Sequence, residues 1–98
     1  MTKSDVLAVL NREAGAVKAL GATALYVFGS TIRQTATAQS DIDVFVDYDA
    51  HGKFSLVELV AIKQHLESHL GVRVDLTTRD SLDPLLRAGI ESAAERVF

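Results

Sequence analysis

The chain contains no cysteine, so its fold cannot depend on disulfide bonds and no thiolate can bind a metal. Its formal net charge of −3 provides no clustered positive field of the kind that attracts nucleic acid. Long apolar runs are also lacking, and the polar start at residues 1–5 does not resemble a signal peptide. These features predict a cytoplasmic protein with no membrane association and no direct binding of nucleic acid.

The length of 98 residues predicts one domain spanning residues 1–98, with a core of modest size. A chain this short has no room for a catalytic domain and a separate domain that holds a bulky substrate. We therefore expect any large acceptor to be presented by a partner.

Three segments have the pattern of helices. After Ser4 and Asp5, either of which could cap a helix, apolar residues recur at steps of three and four until Gly21. Ser55 and Glu58 have the spacing of a capping box, and Gly71 ends the helix that they begin. A last helix is predicted to start at Asp83-Pro84. The apolar residues assigned to these helices are Val6, Leu7, Leu10, Ala14, Val17, Leu20, Leu56, Leu59, Val60, Leu66, Leu70, Leu85, Leu86, Ile90 and Val97.

Three segments have the pattern of strands: residues 24–28, residues 42–47 and the alternating stretch from Val72 to Thr77. Together with the helices they predict an α/β (α+β) domain in which helices cover a small mixed sheet of about three strands. We also expect the apolar C-terminal pair, Val97 and Phe98, to dock on the core.

The first predicted strand ends abruptly at Gly29-Ser30. Glycine allows the backbone to approach a ligand closely, and a helical turn that follows would point free N–H groups outward. Such a turn is suited to binding phosphate, although Ser30 could also simply cap a helix.

Asp41 and Asp43 follow the turn and share one face of the second strand, because successive side chains of a strand alternate. Two parallel carboxylates repel each other unless they are solvated or hold a cation, and Mg²⁺ prefers such oxygen ligands. Asp75 lies on the polar side of the third predicted strand. If that strand lies beside the second, three carboxylates could hold two ions and promote phosphoryl or nucleotidyl transfer.

These residues resemble a known family. Gly29-Ser30, Arg33, Ser40-Asp41-Ile42-Asp43 and the later Asp75 are similar to the minimal nucleotidyltransferases of the DNA polymerase beta superfamily. Within it, the chain most resembles the MNT-domain antitoxins that are encoded beside HEPN-domain toxins. The family usually has glycine after the arginine, whereas this chain has Gln34.

The resemblance implies a role for each matching residue. Asp41, Asp43 and Asp75 would be the catalytic and Mg²⁺-binding carboxylates, with two ions expected. The nucleotide-binding residues would be Gly29, Ser30, Arg33 and Ser40.

The resemblance also implies a reaction. AMP would pass from ATP to a tyrosine hydroxyl of the cognate HEPN toxin, with which the chain could form a hetero-oligomer. Two other functions stay open: an antitoxin that acts by occlusion without catalysis, and transfer to a small molecule or RNA. The three carboxylates argue against simple occlusion, and the lack of a second domain or a basic surface argues against the other acceptors.

Other polar residues are assigned structural roles. Asp47 lies four residues beyond Asp43, about 13 Å away at the rise of a strand, and is placed outside the metal site. His65 and His69 have the i, i+4 spacing of helical zinc ligands but lack the glutamate of the zinc-protease motif. We therefore interpret these two histidines as part of a solvated helix face.

Overall fold

The computed structural model describes residues 1–35 and 41–98. Within these ranges, three helices pack on one face of a mixed four-stranded sheet. The elements in chain order are α1 (Lys3–Arg12), α2 (Ala14–Ala19), β1 (Ala22–Phe28), α3 (Ser30–Arg33), β2 (Ile42–Tyr48), α4 (Leu56–Leu70), β3 (Val74–Thr78), a 3₁₀ turn (Arg79–Ser81), α5 (Arg87–Ala93) and β4 (Glu95–Arg96).

The strand order in the sheet is β3-β2-β1-β4, and both pairing directions occur. β2 is antiparallel to β1 and parallel to β3, and α4 makes the crossover that a parallel pair requires. Alternation along β2 sends Ile42, Val44 and Val46 into a core shared with α1, α2 and α4. The other face of the sheet therefore carries the polar residues and several aromatic rings. The α/β class is confirmed, although the sheet has four strands in place of about three.

The fourth strand escaped prediction because it is only two residues long. Glu95 and Arg96 pair with Val27 and Tyr26 of β1. Beyond the strand, the Val97 N–H donates to the Leu25 carbonyl at 2.7 Å. Val97 and Phe98 both pack against the core, which confirms the expected docking of the C-terminal pair, but Val97 lies past the last helix.

The first predicted helix is wrong in two respects. Its cap is Thr2, whose hydroxyl accepts from the Asp5 N–H while the Asp5 carboxylate accepts from the Thr2 N–H, both in one capping box. The helix is also interrupted at Glu13, which ends α1 and precedes α2. Apolar residues continue to recur at steps of three and four through this break, because both short helices pack on the same core. The sequence pattern therefore does not reveal the break.

The predicted ends of α4 are confirmed, since Ser55 caps it and Gly71 follows it with a φ of 73°. Its predicted apolar stripe is partly wrong. Leu56 is 73% exposed and Val60 is 41% exposed, whereas the buried residues of α4 are Ile62, Leu66 and Leu70. The buried stripe therefore starts further along the helix than the sequence pattern indicated.

The last helix starts later than predicted. Asp83 accepts a hydrogen bond from the Leu85 N–H, but this caps only a turn, and α5 begins at Arg87. Leu85 and Leu86 are 93% and 59% exposed, so they are not core residues.

The interpretation of His65 and His69 as part of a solvated helix face is only partly correct. His65 is half-buried, and its Nε2 lies 2.7 Å from Glu13 at the break between α1 and α2. Tertiary packing of α1 on α4 produces this contact, which spacing within a single helix cannot reveal.

Candidate active site

The carboxylates expected to act together are neighbours in space. Asp43 of β2 and Asp75 of β3 are partners in the parallel register, and both lie on the sheet face opposite the core. Asp41 lies just before β2, is exposed, and adds its charge to the surroundings of Asp43. Strand pairing alone thus joins Asp43 and Asp75, which are 32 positions apart in the sequence.

Asp43 is the carboxylate most affected by this grouping. Burial raises the pKa of Asp43, and the negative charges of Asp75 and Asp41 raise it further. The charge of Arg33 acts in the opposite direction. These carboxylates repel one another and offer only oxygen ligands. Such a group suits a divalent cation such as Mg²⁺, whose charge would neutralise the repulsion.

The Gly29-Ser30 turn lies directly against this group. Phe28, the last residue of β1, is paired with Asp43 across the antiparallel register. The next residue, Gly29, has φ 73° and ψ −145°, a conformation almost restricted to glycine. A Cβ atom at this position would overlap the Asp43 carboxylate. The glycine therefore serves two needs: backbone conformation and close approach to an aspartate.

The short helix α3 begins at Ser30 and ends at Arg33. Ser30 is half-buried, and Arg33, three residues later, is exposed. Arg33 lines a cleft of about 430 Å³ together with Gly29 and Asp43. Residues of α5 and the preceding Leu86 form the opposite wall, so a ligand in this cleft would contact both the turn and a carboxylate.

Two features of the following loop bear on the sequence predictions. Gln34 adopts the left-handed conformation with φ 58° and ψ 31°, which glycine, the residue that the resemblance leads us to expect here, adopts without strain. The predicted nucleotide-binding residue Ser40 lies outside the described residues.

Arg79 organises the same sheet face and was missed in the sequence. Its Nε and Nη2 atoms donate to the two Asp47 oxygens at 2.8 and 3.0 Å, and Nη1 donates to Glu91 of α5. These hydrogen bonds raise the pKa of Arg79, those to Asp47 most. The guanidinium also lies 5.0 Å from the ring centroid of Phe45. Asp47 thus neutralises a cation, in keeping with its predicted place outside the metal site.

No local signal marked Arg79, because its partners come from β2 and α5, 32 and 12 residues away in the sequence. The contact fastens α5, one wall of the cleft, to the sheet. Arg79 therefore has a supporting position beside the candidate site, distinct from that of the three aspartates.

Comparison with known proteins agrees with this geometry. The family model described as nucleotidyltransferase domain matches residues 9–97. A protein of Methanocaldococcus jannaschii, named as a protein adenylyltransferase, is 42% identical over 72 residues, covering 74% of this chain and 75% of the relative. Other relatives of this kind are matched over 61 to 66% of their length, so the matched segment spans about two thirds of those proteins.

Solved structures show the same fold. One described as a minimal nucleotidyltransferase superposes with a TM-score of 0.84 at 30% identity, over 97% of this chain and 95% of that one. A second structure is that of a tri-AMPylated Shewanella oneidensis HEPN toxin in complex with an MNT antitoxin. It superposes with a TM-score of 0.65 at 18% identity, over 94% of this chain and 71% of that one. The predicted resemblance to minimal nucleotidyltransferases is confirmed. With the family model covering almost its whole length, this chain belongs to the nucleotidyltransferase domain family.

Proposed function

We propose that this chain is an Mg²⁺-dependent protein adenylyltransferase that transfers AMP from ATP to a tyrosine hydroxyl of a HEPN-domain toxin and so acts as its antitoxin. The observation that carries the proposal is the alignment of Asp43 with Asp75, with Gly29 in contact with Asp43. Relatives named as protein adenylyltransferases support the reaction. A structural neighbour in which a HEPN toxin carries AMP groups supports the partner.

The proposed residue roles follow from position. Mg²⁺ would be held by Asp41, Asp43 and Asp75, and we expect two ions. Their positive charge would stabilise the phosphates and the negative charge that develops on the attacking and leaving oxygens. Gly29 and Ser30, at the start of α3, would hold the outer phosphates of ATP, and Arg33 would contribute charge on the same side of the cleft. Ser40 retains its proposed nucleotide-binding role from the resemblance.

The proposed transfer is a single displacement at the α-phosphorus of ATP. The tyrosine oxygen forms a bond to the α-phosphorus of ATP, the bond from that phosphorus to the bridging oxygen breaks, and pyrophosphate leaves. Asp75 accepts the tyrosine proton. Its exposure is consistent with this role, because the acceptor hydroxyl must reach it from outside the chain.

A protein acceptor fits the surface beside the cleft better than a small molecule does. Leu86 lines the cleft and is 59% exposed, and the adjacent Leu85 is 93% exposed. Apolar side chains that project beside a polar site are typical of protein-binding surfaces. The partner segment that carries the tyrosine would bury these leucines as it brings the hydroxyl to the carboxylates.

The test is to incubate the purified chain with Mg²⁺, ATP and the protein encoded by the neighbouring gene, and then weigh both proteins by intact mass spectrometry. We expect the partner to gain whole adenylyl groups and lose its toxicity. Asp41→Asn/Asp43→Asn should abolish the mass gain. Asp49→Asn is the matched control, because Asp49 is exposed in the loop after β2 and lies away from the aligned pair.

Two results would overturn the proposal. One is an unmodified partner whose toxicity is still relieved by Asp41→Asn/Asp43→Asn, which would establish occlusion as the mechanism. The other is an AMP transfer that continues in excess chelator, which would contradict the metal assignment. Digestion and fragment analysis would locate the modified residue and separate tyrosine from serine or threonine.

A further inference from the structure

A second group of possible metal ligands lies in the helical layer, on the opposite side of the sheet from the aspartates. Glu13 ends α1, and His65 and His69 project one turn apart from α4. Glu13 Oε1 is 2.7 Å from His65 Nε2 and 3.4 Å from His69 Nε2. One ligand atom from each residue lies within 4.8 Å of the others. Two imidazoles and one carboxylate are a common ligand set for Zn²⁺.

Hydrogen bonding determines which ring nitrogen of His69 is free to bind a metal ion. Its Nδ1 is 2.9 Å from the His65 carbonyl oxygen, and a carbonyl can only accept, so Nδ1 carries the hydrogen. The Ser68 hydroxyl donates to the same carbonyl at 2.8 Å and is not available as a donor to His69. In the neutral ring, Nε2 then holds a lone pair. A histidine held by its other nitrogen on a backbone carbonyl is the usual arrangement around metal-binding imidazoles.

A cation beside His69 Nε2 would remove a repulsion between this lone pair and Glu13. His69 Nε2 faces Glu13 Oε1, and two lone pairs at 3.4 Å repel each other unless a proton or a metal ion lies between them. The Glu13 side chain is only 14% exposed, so water screens the contact weakly. Arg12 Nε is 3.5 Å from the other Glu13 oxygen and leaves Oε1 to the histidines.

The spacing suits zinc after a small adjustment. Donor atoms around tetrahedral zinc are about 3.3 Å apart, given bond lengths near 2.0 to 2.1 Å. The distance from Glu13 to His69 already has this value, whereas the distance from Glu13 to His65 is that of a hydrogen bond and would have to lengthen. The His65 and His69 rings lie 4.4 Å apart between centroids, which lets both reach one ion.

We propose that Glu13, His65 and His69 form a Zn²⁺ site that joins the break between α1 and α2 to α4. Water would complete the tetrahedron, since the His69 side chain is 38% exposed and leaves one side of the group open. The bound ion would replace a contact between residues 52 positions apart by a stronger link, and its role would be structural. The site is independent of the proposed nucleotidyl transfer.

The experiment is isothermal titration of the metal-free chain with Zn²⁺ near neutral pH. To silence the aspartate site, the titration uses the Asp41→Asn/Asp43→Asn background. We expect one ion per chain, and a weakening of at least about tenfold in His69→Gln. His51→Gln is the matched control, because His51 is exposed in a loop and should leave the affinity unchanged. Zn²⁺ should also raise the Tm of the Asp41→Asn/Asp43→Asn chain but not that of the same chain carrying His69→Gln.

Co²⁺ supplies a readout that does not depend on stability. In the same Asp41→Asn/Asp43→Asn background, visible absorption bands of tetrahedral intensity should appear with Co²⁺ and disappear when Glu13→Gln or His69→Gln is added. The proposal is overturned if Zn²⁺ does not bind to the background protein, or if His69→Gln binds it as tightly as His51→Gln does. It is also overturned if circular dichroism shows the metal-free His69→Gln chain to be folded and Co²⁺ still gives the same bands.

Discussion

Gly29 lies so close to Asp43 that a single added methyl group would overlap the aspartate carboxylate. Gly29→Ala should therefore lower the free energy of unfolding by roughly 1–3 kcal/mol, since its backbone conformation also excludes side chains. Urea unfolding measures this loss. Gly15→Ala is the control, because Gly15 is in α2 with nothing near its Cβ position and should gain up to about 1 kcal/mol. Equal effects of the two substitutions would contradict the role given to Gly29.

Asp43→Asn should stabilise the metal-free protein although it abolishes the proposed activity. The pKa of Asp43 is raised in the folded chain by burial and by Asp75 and Asp41, so its ionised form opposes folding at neutral pH. In chelator at neutral pH, the Tm of Asp43→Asn should exceed that of the parent. The advantage should vanish as the pH falls below the ordinary range of an aspartate, where the folded and unfolded carboxyls are both protonated. Asp49→Asn, at an exposed loop position, is the matched control.

Glu67 should have the opposite effect to Asp43 and stabilise the fold at neutral pH. Its Oε2 accepts from Lys63 Nζ at 2.8 Å and from the Val74 N–H at 2.9 Å, which together lower the pKa of Glu67, the lysine most. A lowered pKa stabilises the fold above the unfolded pKa and loses this effect as the pH falls through the folded one. Glu67→Gln should thus lower the Tm at neutral pH, with the difference closing in acid. A difference that persists unchanged at acidic pH would contradict this assignment.

Arg79→Lys should show that a charge alone cannot replace the guanidinium. A lysine ammonium is a single nitrogen without the planar fork that reaches both Asp47 oxygens and Glu91, and it loses the planar contact with Phe45. Because the Arg79 side chain is about a quarter exposed, we expect a loss of about 1–2 kcal/mol in the free energy of unfolding, measured with urea. Arg73→Lys, at an exposed position, should stay within about 0.5 kcal/mol of the parent.

Gln34→Gly should stabilise the turn after α3. Gln34 has a left-handed backbone, which costs a side-chain-bearing residue roughly 1–2 kcal/mol, whereas glycine adopts it freely but loses more entropy on folding. The net change should be small and favourable, with the proposed AMP transfer unaltered. Thermal unfolding and the transfer assay test the two parts separately. A marked fall in Tm would show that the Gln34 side chain makes a contribution of its own.

Much of the candidate site was predictable because it depends on strand alternation. The parity of Asp41, Asp43 and Asp75 follows from the period of two, and a parallel pairing of the two strands was enough to bring them together. The Gly29-Ser30 turn was equally visible, because a glycine at the end of a buried strand is a strong local signal.

The features that were not predicted depend on contacts between distant segments. A two-residue strand such as β4 has no periodicity and exists only because β1 offers an edge. The break at Glu13 and its contact with His65 arise from the packing of α1 against α4, and the partners of Arg79 come from two other elements. The exposed Leu85 and Leu86 show the same limit, since apolar character alone does not tell a core residue from one on the surface.

The placement of α4 has a practical consequence for experiments on this molecule. The helix packs on the sheet face opposite Asp43 and Asp75, and its outward side includes the exposed Gln64. A Gln64→Cys substitution would give the cysteine-free chain a single thiol for attaching a fluorophore. A dye placed there could follow assembly with a partner while the cleft beside Leu86 stays unobstructed.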